Sequence, residues 1–276
     1  MSRLPDFLIV GAPRSGTTAL AQYLRGHDGV FIPVRKELNF FDRSEQSGRP
    51  LEWYGRQFDA ARGDQLVGEA TPTYLFTPEA PNRMAALIPE ARLIALLRNP
   101  VDRAYSHYWL CRLLGVERRD FADAVLDELG GRALPGLEYL AYGRYLEQIE
   151  RTLEHFPRTS LLVQLFDDLK AVPDEFFETV CRHIGADPTF KPSIVGERIN
   201  TAQRPRSVML WRGLERWRNS KRRGFRVARF ISSKNSAPFT PPPMGPDVRA
   251  SLIDHFAEST DALGAWLERD LSAWSD

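Results

Sequence analysis

Along the first 190 positions, short apolar runs alternate with longer stretches of helical period. Phe7–Val10, Gly29–Ile32, Leu66–Gly68, Arg92–Leu97 and Ser160–Phe166 are the strand candidates. Helical patterns lie between and beyond them at Ala19–Arg25, Glu52–Phe58, Pro78–Ile88, Pro100–Leu114, Phe121–Leu129 and Tyr145–His155. A further helix is expected over Pro173–Gly185, with proline near its start and glycine past its end. Strands alternating with helices predict a mostly parallel sheet covered on both faces. Leu93–Leu97 is almost continuously apolar, as a central parallel strand should be. After Phe190 the pattern changes to helices and loops. The proline-rich stretch 238–246 reads as an extended connector, and Pro246–Trp274 as an amphipathic helix with a capping tail. The expectation is one α/β domain over residues 1–276. Its core occupies about 1–190, and a helical, loop-rich elaboration occupies about 191–276.

The first strand runs into Gly11-Ala-Pro-Arg-Ser-Gly16, followed by Thr17, Thr18 and a helical pattern. A strand, a Gly-x4-Gly turn and a helix make a phosphate loop, because N–H groups at the helix start face an anion and the dipole favours it. Nucleotide-triphosphate loops carry a lysine directly after the second glycine. Here that residue is Thr17, and the cation comes earlier, at Arg14. The loop should therefore hold the short 5′ end of a nucleotide. A second anion site is expected where strand Arg92–Leu97 ends at Arg98. Asn99 is an N-cap candidate, Pro100 a first helical residue, and Ser106 lies two turns on. A guanidinium fork with a hydroxyl suits a phosphate. The competing reading pairs Arg98 with Asp102 in an ordinary cap interaction.

Bulk properties narrow the classes. A length of 276 suits one large domain. A net charge of +1 gives no global field toward nucleic acid. Cys111 and Cys181 sit in helical patterns as small apolar residues, so a disulfide framework is excluded by count and a reducing compartment is expected. No apolar run is long enough to span a bilayer, and the first residues lack a signal-peptide pattern. The expectation is a soluble, cytoplasmic protein. Five histidines and two cysteines show no zinc-ligand spacing, so no metal is expected. Between Arg212 and Arg229 lie eight Lys or Arg residues and one acid, Glu215. This segment reads either as the solvated face of a core-packed helix or as a contact for an anionic acceptor, membrane or partner.

Taken together, Pro13-Arg14-Ser15-Gly16-Thr17-Thr18 resembles the 5′-phosphosulfate loop of the sulfotransferases. Arg98-Asn99-Pro100 through Ser106 resembles their 3′-phosphate motif. Lys36-Glu37-Leu38-Asn39-Phe40-Phe41-Asp42 and Glu69-Ala70-Thr71-Pro72-Thr73-Tyr74 are similar to segments of the Golgi heparan-sulfate-type branch. Arg204-Pro205-Arg206-Ser207 and the tail Leu263–Trp274 look like bacterial members. Two features depart from the pattern. Arg14 stands where many members carry lysine, and no cysteine pair brackets 185–210 to close a disulfide loop.

The resemblance implies 3′-phosphoadenosine 5′-phosphosulfate as donor and in-line sulfuryl transfer to a hydroxyl or amine. The acceptor would be a carbohydrate or small metabolite. It implies Glu37 as general base, with Lys36 and Arg14 as cations on the bridging oxygen. Arg14, Ser15, Gly16, Thr17 and Thr18 would hold the 5′ phosphate. Arg98 and Ser106 would hold the 3′ phosphate, and Arg204 and Arg206 would add nucleotide contacts. Glu69 and Tyr74 fall on the acceptor side, with Glu69 an alternative base. Phe40 and Phe41 read as packing residues. His107 points about 100° around the helix from Ser106 and reads as peripheral. Two other classes stay open: a divergent P-loop kinase or NTPase, which needs a loop lysine and magnesium-binding acids, and a non-catalytic nucleotide-binding scaffold.

Overall fold

The structure is a computed structural model that describes residues 3–42, 49–196, 203–210, 213–214 and 235–275. The expectations for the basic segment 212–229, apart from Gly213 and Leu214, and for the Arg204 side chain lie outside these residues.

Five strands form one parallel sheet: β1 (Phe7–Gly11), β2 (Val30–Phe31), β3 (Leu66–Ala70), β4 (Arg92–Leu97) and β5 (Leu161–Leu165). Their spatial order is β2-β3-β1-β4-β5. The helices are α1 (Thr17–Arg25), α2 (Leu51–Gly55), α3 (Ala80–Leu87), α4 (Pro100–Leu113), α5 (Phe121–Leu129), α6 (Tyr145–Leu153), α7 (Phe166–Ala171), α8 (Pro173–Ile184) and a C-terminal helix, Pro246–Leu267. Short strands β6 (Gln203–Pro205) and β7 (Ser236–Pro238) pair antiparallel.

Side-chain alternation along β1 builds two cores. Leu8 and Val10 pack on one face with Leu93, Ala95, Tyr145, Ile149 and Leu263. Phe7 and Ile9 pack on the other with Leu20, Leu24, Ile94, Leu96 and Val180. Burial on both faces is what a continuous apolar run requires of a parallel strand. Each such fully buried side chain contributes about 1.5–3 kcal/mol.

The strand order places the site. From β1 the chain turns toward β2 and β3; from β4 it turns the other way, toward β5. The C-terminal ends of β1 and β4 therefore flank a topological switch point, where open α/β sheets form their crevice. The phosphate loop and Arg98 leave from those two ends.

Two of the boundaries that differ from the sequence reading bear on the site. β3 continues to Ala70, because Glu69 and Ala70 stay in register with Leu8 and Ile9 of β1. This puts Glu69 inside the sheet. β5 ends at Leu165, and Phe166 opens α7, whose first turn carries Asp167 and Asp168. Acids there complement the helix dipole, so the apolar run broke one residue early.

Candidate functional site

The loop after β1 turns on two left-handed residues, Arg14 (φ 71°) and Gly16 (φ 93°). Ala12 N–H first donates to Leu96 O at 2.8 Å, which keeps the loop against β4. Gly16 is needed twice over. Its φ favours glycine, and a Cβ there would lie 2.8 Å from the Phe166 ring. Gly16 O then accepts from Ala19 and Leu20, starting α1 at Thr17. N–H groups of a first helical turn have no intrahelical carbonyl to bond and form an anion cradle. Ser15 is fully buried in the loop, and its hydroxyl makes no hydrogen bond of good geometry.

Opposite the loop, Asn99 caps α4 as expected, accepting from Val101 N at 2.9 Å and Asp102 N at 3.3 Å. Its amide also donates to Trp274 O at 2.9 Å, so the C-terminal tail braces this corner. Arg98 donates to Arg14 O at 3.4 Å and lies over the Phe166 ring at 5.2 Å. Its pairing with Asp102 Oδ2 is loose at 4.0 Å, and the other oxygen of Asp102 pairs with Arg249 at 3.0 Å. The cap reading of Arg98 therefore accounts for little of its charge. Arg14 Nε donates to Ser106 Oγ at 3.1 Å, which joins the loop to α4. Arg14 is exposed by area, yet protein atoms crowd its guanidinium. That burial, and then the Arg98 charge, lower its pKa. Two guanidiniums near enough for the Arg98 charge to act on Arg14 suit an anion.

The third element is the segment after β2. Glu37 N–H donates to Ala70 O at 3.0 Å and ties it to the end of β3. Lys36 Nζ reaches the start of α1, donating to Thr18 Oγ1 at 2.9 Å and Thr17 Oγ1 at 3.3 Å. It also meets Glu37 Oε1 at 3.3 Å. The lysine absent from the loop is thus supplied from another strand. Burial lowers its pKa, Glu37 opposes the shift, and Arg14 and Arg25 add to it. Glu37 itself is 56% exposed and faces the opening.

Glu69 and Tyr74 stand elsewhere. Both are buried. Glu69 accepts from the hydroxyls of Tyr54, Thr71 and Tyr74. Burial raises its pKa, and those hydrogen bonds oppose the rise. Phe40 and Phe41 pack around Tyr54, and Phe40 stacks on it at 4.1 Å. His107 packs against Tyr139 and Tyr142; burial, then Arg103 and Arg14, push its pKa down to about 3. It is neutral at physiological pH. Arg206 is exposed beside β6, with its N–H on Asn235 O at 2.6 Å. Among the described residues no cluster of His, Cys, Asp or Glu could hold a metal, and no helix is long and apolar enough to cross a membrane.

Tyr54, Tyr145, Phe166 and Arg249 shape this site but carried no sequence signal. Tyr145 OH donates to Arg98 O at 2.8 Å from α6, 47 residues away. Such contacts arise only when distant elements pack.

Comparisons with known proteins agree with this geometry. Residues 4–235 match the family model for the sulfotransferase domain. The chain is similar to the membrane-associated sulfotransferase kil1 of Dictyostelium discoideum, 37% identical over 40% of this chain and 24% of the relative. It is similar to human heparan sulfate glucosamine 3-O-sulfotransferase 3B1, 33% identical over 58% of this chain and 40% of the relative. The chain thus spans well under half the length of these curated relatives. A sulfotransferase crystal structure from Alicyclobacillus acidocaldarius superposes with a TM-score of 0.75 at 29% identity, covering 99% of this chain and 100% of that one.

Proposed function

This chain belongs to the sulfotransferase family, and we propose that it transfers a sulfuryl group from 3′-phosphoadenosine 5′-phosphosulfate to an acceptor hydroxyl or amine. One observation carries the reading. Lys36 joins the start of α1 to Glu37, so a cation and a carboxylate stand together at the phosphate loop.

The residues fit that donor. The loop from Arg14 to Thr18 suits the 5′ phosphate, and Arg98 with Ser106 suits a separate 3′ phosphate. Arg204 and Arg206 belong to the same proposal as outer nucleotide contacts. A carboxylate at Glu37 takes the acceptor's proton as the new bond to sulfur forms. The bond from sulfur to the phosphate oxygen breaks, and 3′-phosphoadenosine 5′-phosphate leaves. Lys36 and Arg14 stabilise the negative charge gathering on that oxygen. The heparan-type relative supports a glycan acceptor, with a small metabolite as the other candidate class. The buried free cysteines fit the cytoplasmic location kept in this proposal.

A thermal-shift series tests the reading. Stabilisation by 3′-phosphoadenosine 5′-phosphate without magnesium is expected. Stabilisation only by ATP with magnesium would overturn the assignment of the donor.

A further inference from the structure

Glu69 is buried, and its hydrogen bonds lead straight to the segment that carries Lys36 and Glu37. An ionised carboxylate only accepts, and a hydroxyl has one proton and two lone pairs. Thr71 Oγ1 donates to Glu69 Oε1 at 2.6 Å, and Tyr74 OH donates to the same oxygen at 2.8 Å. Tyr54 OH donates to Oε2. With their protons committed, the first two hydroxyls turn lone pairs toward the chain after β2. Tyr74 OH accepts from Phe40 N–H at 2.9 Å, and Thr71 Oγ1 accepts from Asn39 N–H at 3.4 Å. The Tyr54 ring stacks on Phe40 within 6° of parallel.

That segment is in a conformation the chain would not choose alone. Glu37 (φ 61°) and Asn39 (φ 52°) are both left-handed. Non-glycine residues hold such angles when the surroundings over-determine them. Here the surroundings include the Glu37 bond to Ala70 O, Asn39 Nδ2 donating to Asp42 at 2.8 Å, Arg49 donating to Leu38 O at 3.0 Å, and the two hydroxyl oxygens that Glu69 orients.

We infer that Glu69 is a positioning residue: its carboxylate orients the Thr71 and Tyr74 hydroxyls, and through them holds the Asn39 and Phe40 N–H groups and the Lys36–Glu37 pair in place. The inference rests on the proposed role of Glu37 for its effect on turnover, but not for its effect on the backbone. It assigns Glu69 neither proton transfer nor acceptor contact.

Glu69→Met keeps the length of the side chain and removes both carboxylate oxygens. The Thr71 and Tyr74 hydroxyls then lose the acceptor that fixes their protons, and their lone pairs are no longer held toward Asn39 and Phe40 N–H. Hydrogen exchange of the full chain, saturated with 3′-phosphoadenosine 5′-phosphate, reads this directly. Exchange at Asn39 and Phe40 should quicken about tenfold or more while α1 and β4 keep wild-type protection. Tyr74→Phe, which leaves Phe40 N–H without its acceptor, should do the same and carries the test should Glu69→Met fail to fold. Unchanged exchange at Asn39 and Phe40 in the folded variant overturns the inference.

Turnover supplies the second arm, read as release of 3′-phosphoadenosine 5′-phosphate with heparan sulfate and with water as acceptors. Glu69→Met should lower it about 10- to 100-fold, the scale of a small misplacement of reacting groups. Nucleotide affinity should stay within about threefold. The double variant Glu37→Gln, Glu69→Met should be no slower than Glu37→Gln alone, since groups acting as one unit are non-additive. Additive losses, or a rise in acceptor KM alone, overturn the positioning role. Wild-type turnover in Glu37→Gln would sink the general-base reading, and the exchange result would still decide Glu69.

Discussion

Lys36→Met separates transition-state stabilisation from simple phosphate binding. Lys36 is only 16% exposed and makes two hydrogen bonds to threonine hydroxyls at the start of α1, beside Glu37. A charge-assisted hydrogen bond is worth about 1.5–3 kcal/mol. A donor aimed at developing charge in a water-poor site is worth about 2.7–4 kcal/mol, or 10²–10³ in turnover. Turnover of Lys36→Met should therefore fall about 10²–10³-fold, while affinity for 3′-phosphoadenosine 5′-phosphate, measured by calorimetry, falls less than about tenfold. Stability should follow the opposite sign. Burial lowers the Lys36 pKa, so the folded protein binds that proton less tightly than the unfolded chain does. The charged form is a net burden on folding below the unfolded lysine pKa, and the burden lessens as pH rises through the lowered folded value. Lys36→Met should then melt no lower than wild type at pH 7, and a rate loss cannot be blamed on unfolding. The same shift predicts that turnover declines on the alkaline side below the ordinary lysine pKa of about 10.4. Lys36→Arg should move that limb upward. Unchanged turnover with a 100-fold loss of nucleotide affinity would refute the reasoning and make Lys36 a ground-state anchor.

Other outcomes follow from the same geometry. Arg98→Ala should weaken 3′-phosphoadenosine 5′-phosphate by about 1.5–3 kcal/mol and leave adenosine 5′-phosphate nearly unaffected in calorimetry; equal losses for both ligands would remove Arg98 from the 3′ site. Glu37→Gln should cut turnover about 10²–10⁴-fold with nucleotide affinity intact, and the acid-side fall of the wild-type rate should disappear with it. Gly16→Ala forces a side chain into a left-handed position and against Phe166 at 2.8 Å, so scanning calorimetry should show a lower Tm, equivalent to about 1–3 kcal/mol; an unchanged Tm would mean that the loop relaxes freely.

The sequence alone determined most of the frame. All five strands of the parallel sheet were legible as short apolar runs, because strands buried on both faces need continuous hydrophobicity. The cap at Asn99 and the glycines of the phosphate loop were legible because capping and left-handed turns depend on local residue chemistry. Tertiary structure decided the rest. Glu69 read as a group on the acceptor side, because its spacing after an apolar run cannot show that β3 extends to Ala70. In the fold it is walled in by Tyr74, five residues on, and by Tyr54, which comes from a separate segment. Arg98 and Asp102 read equally well as a cap pair, until Arg249 from the C-terminal helix took the carboxylate. The lysine missing after Gly16 could not be located from the loop, since Lys36 arrives from the end of β2. Backbone periodicity and capping are encoded by neighbours in sequence. Which charges meet, and which of them lose water, is set by packing between elements tens of residues apart.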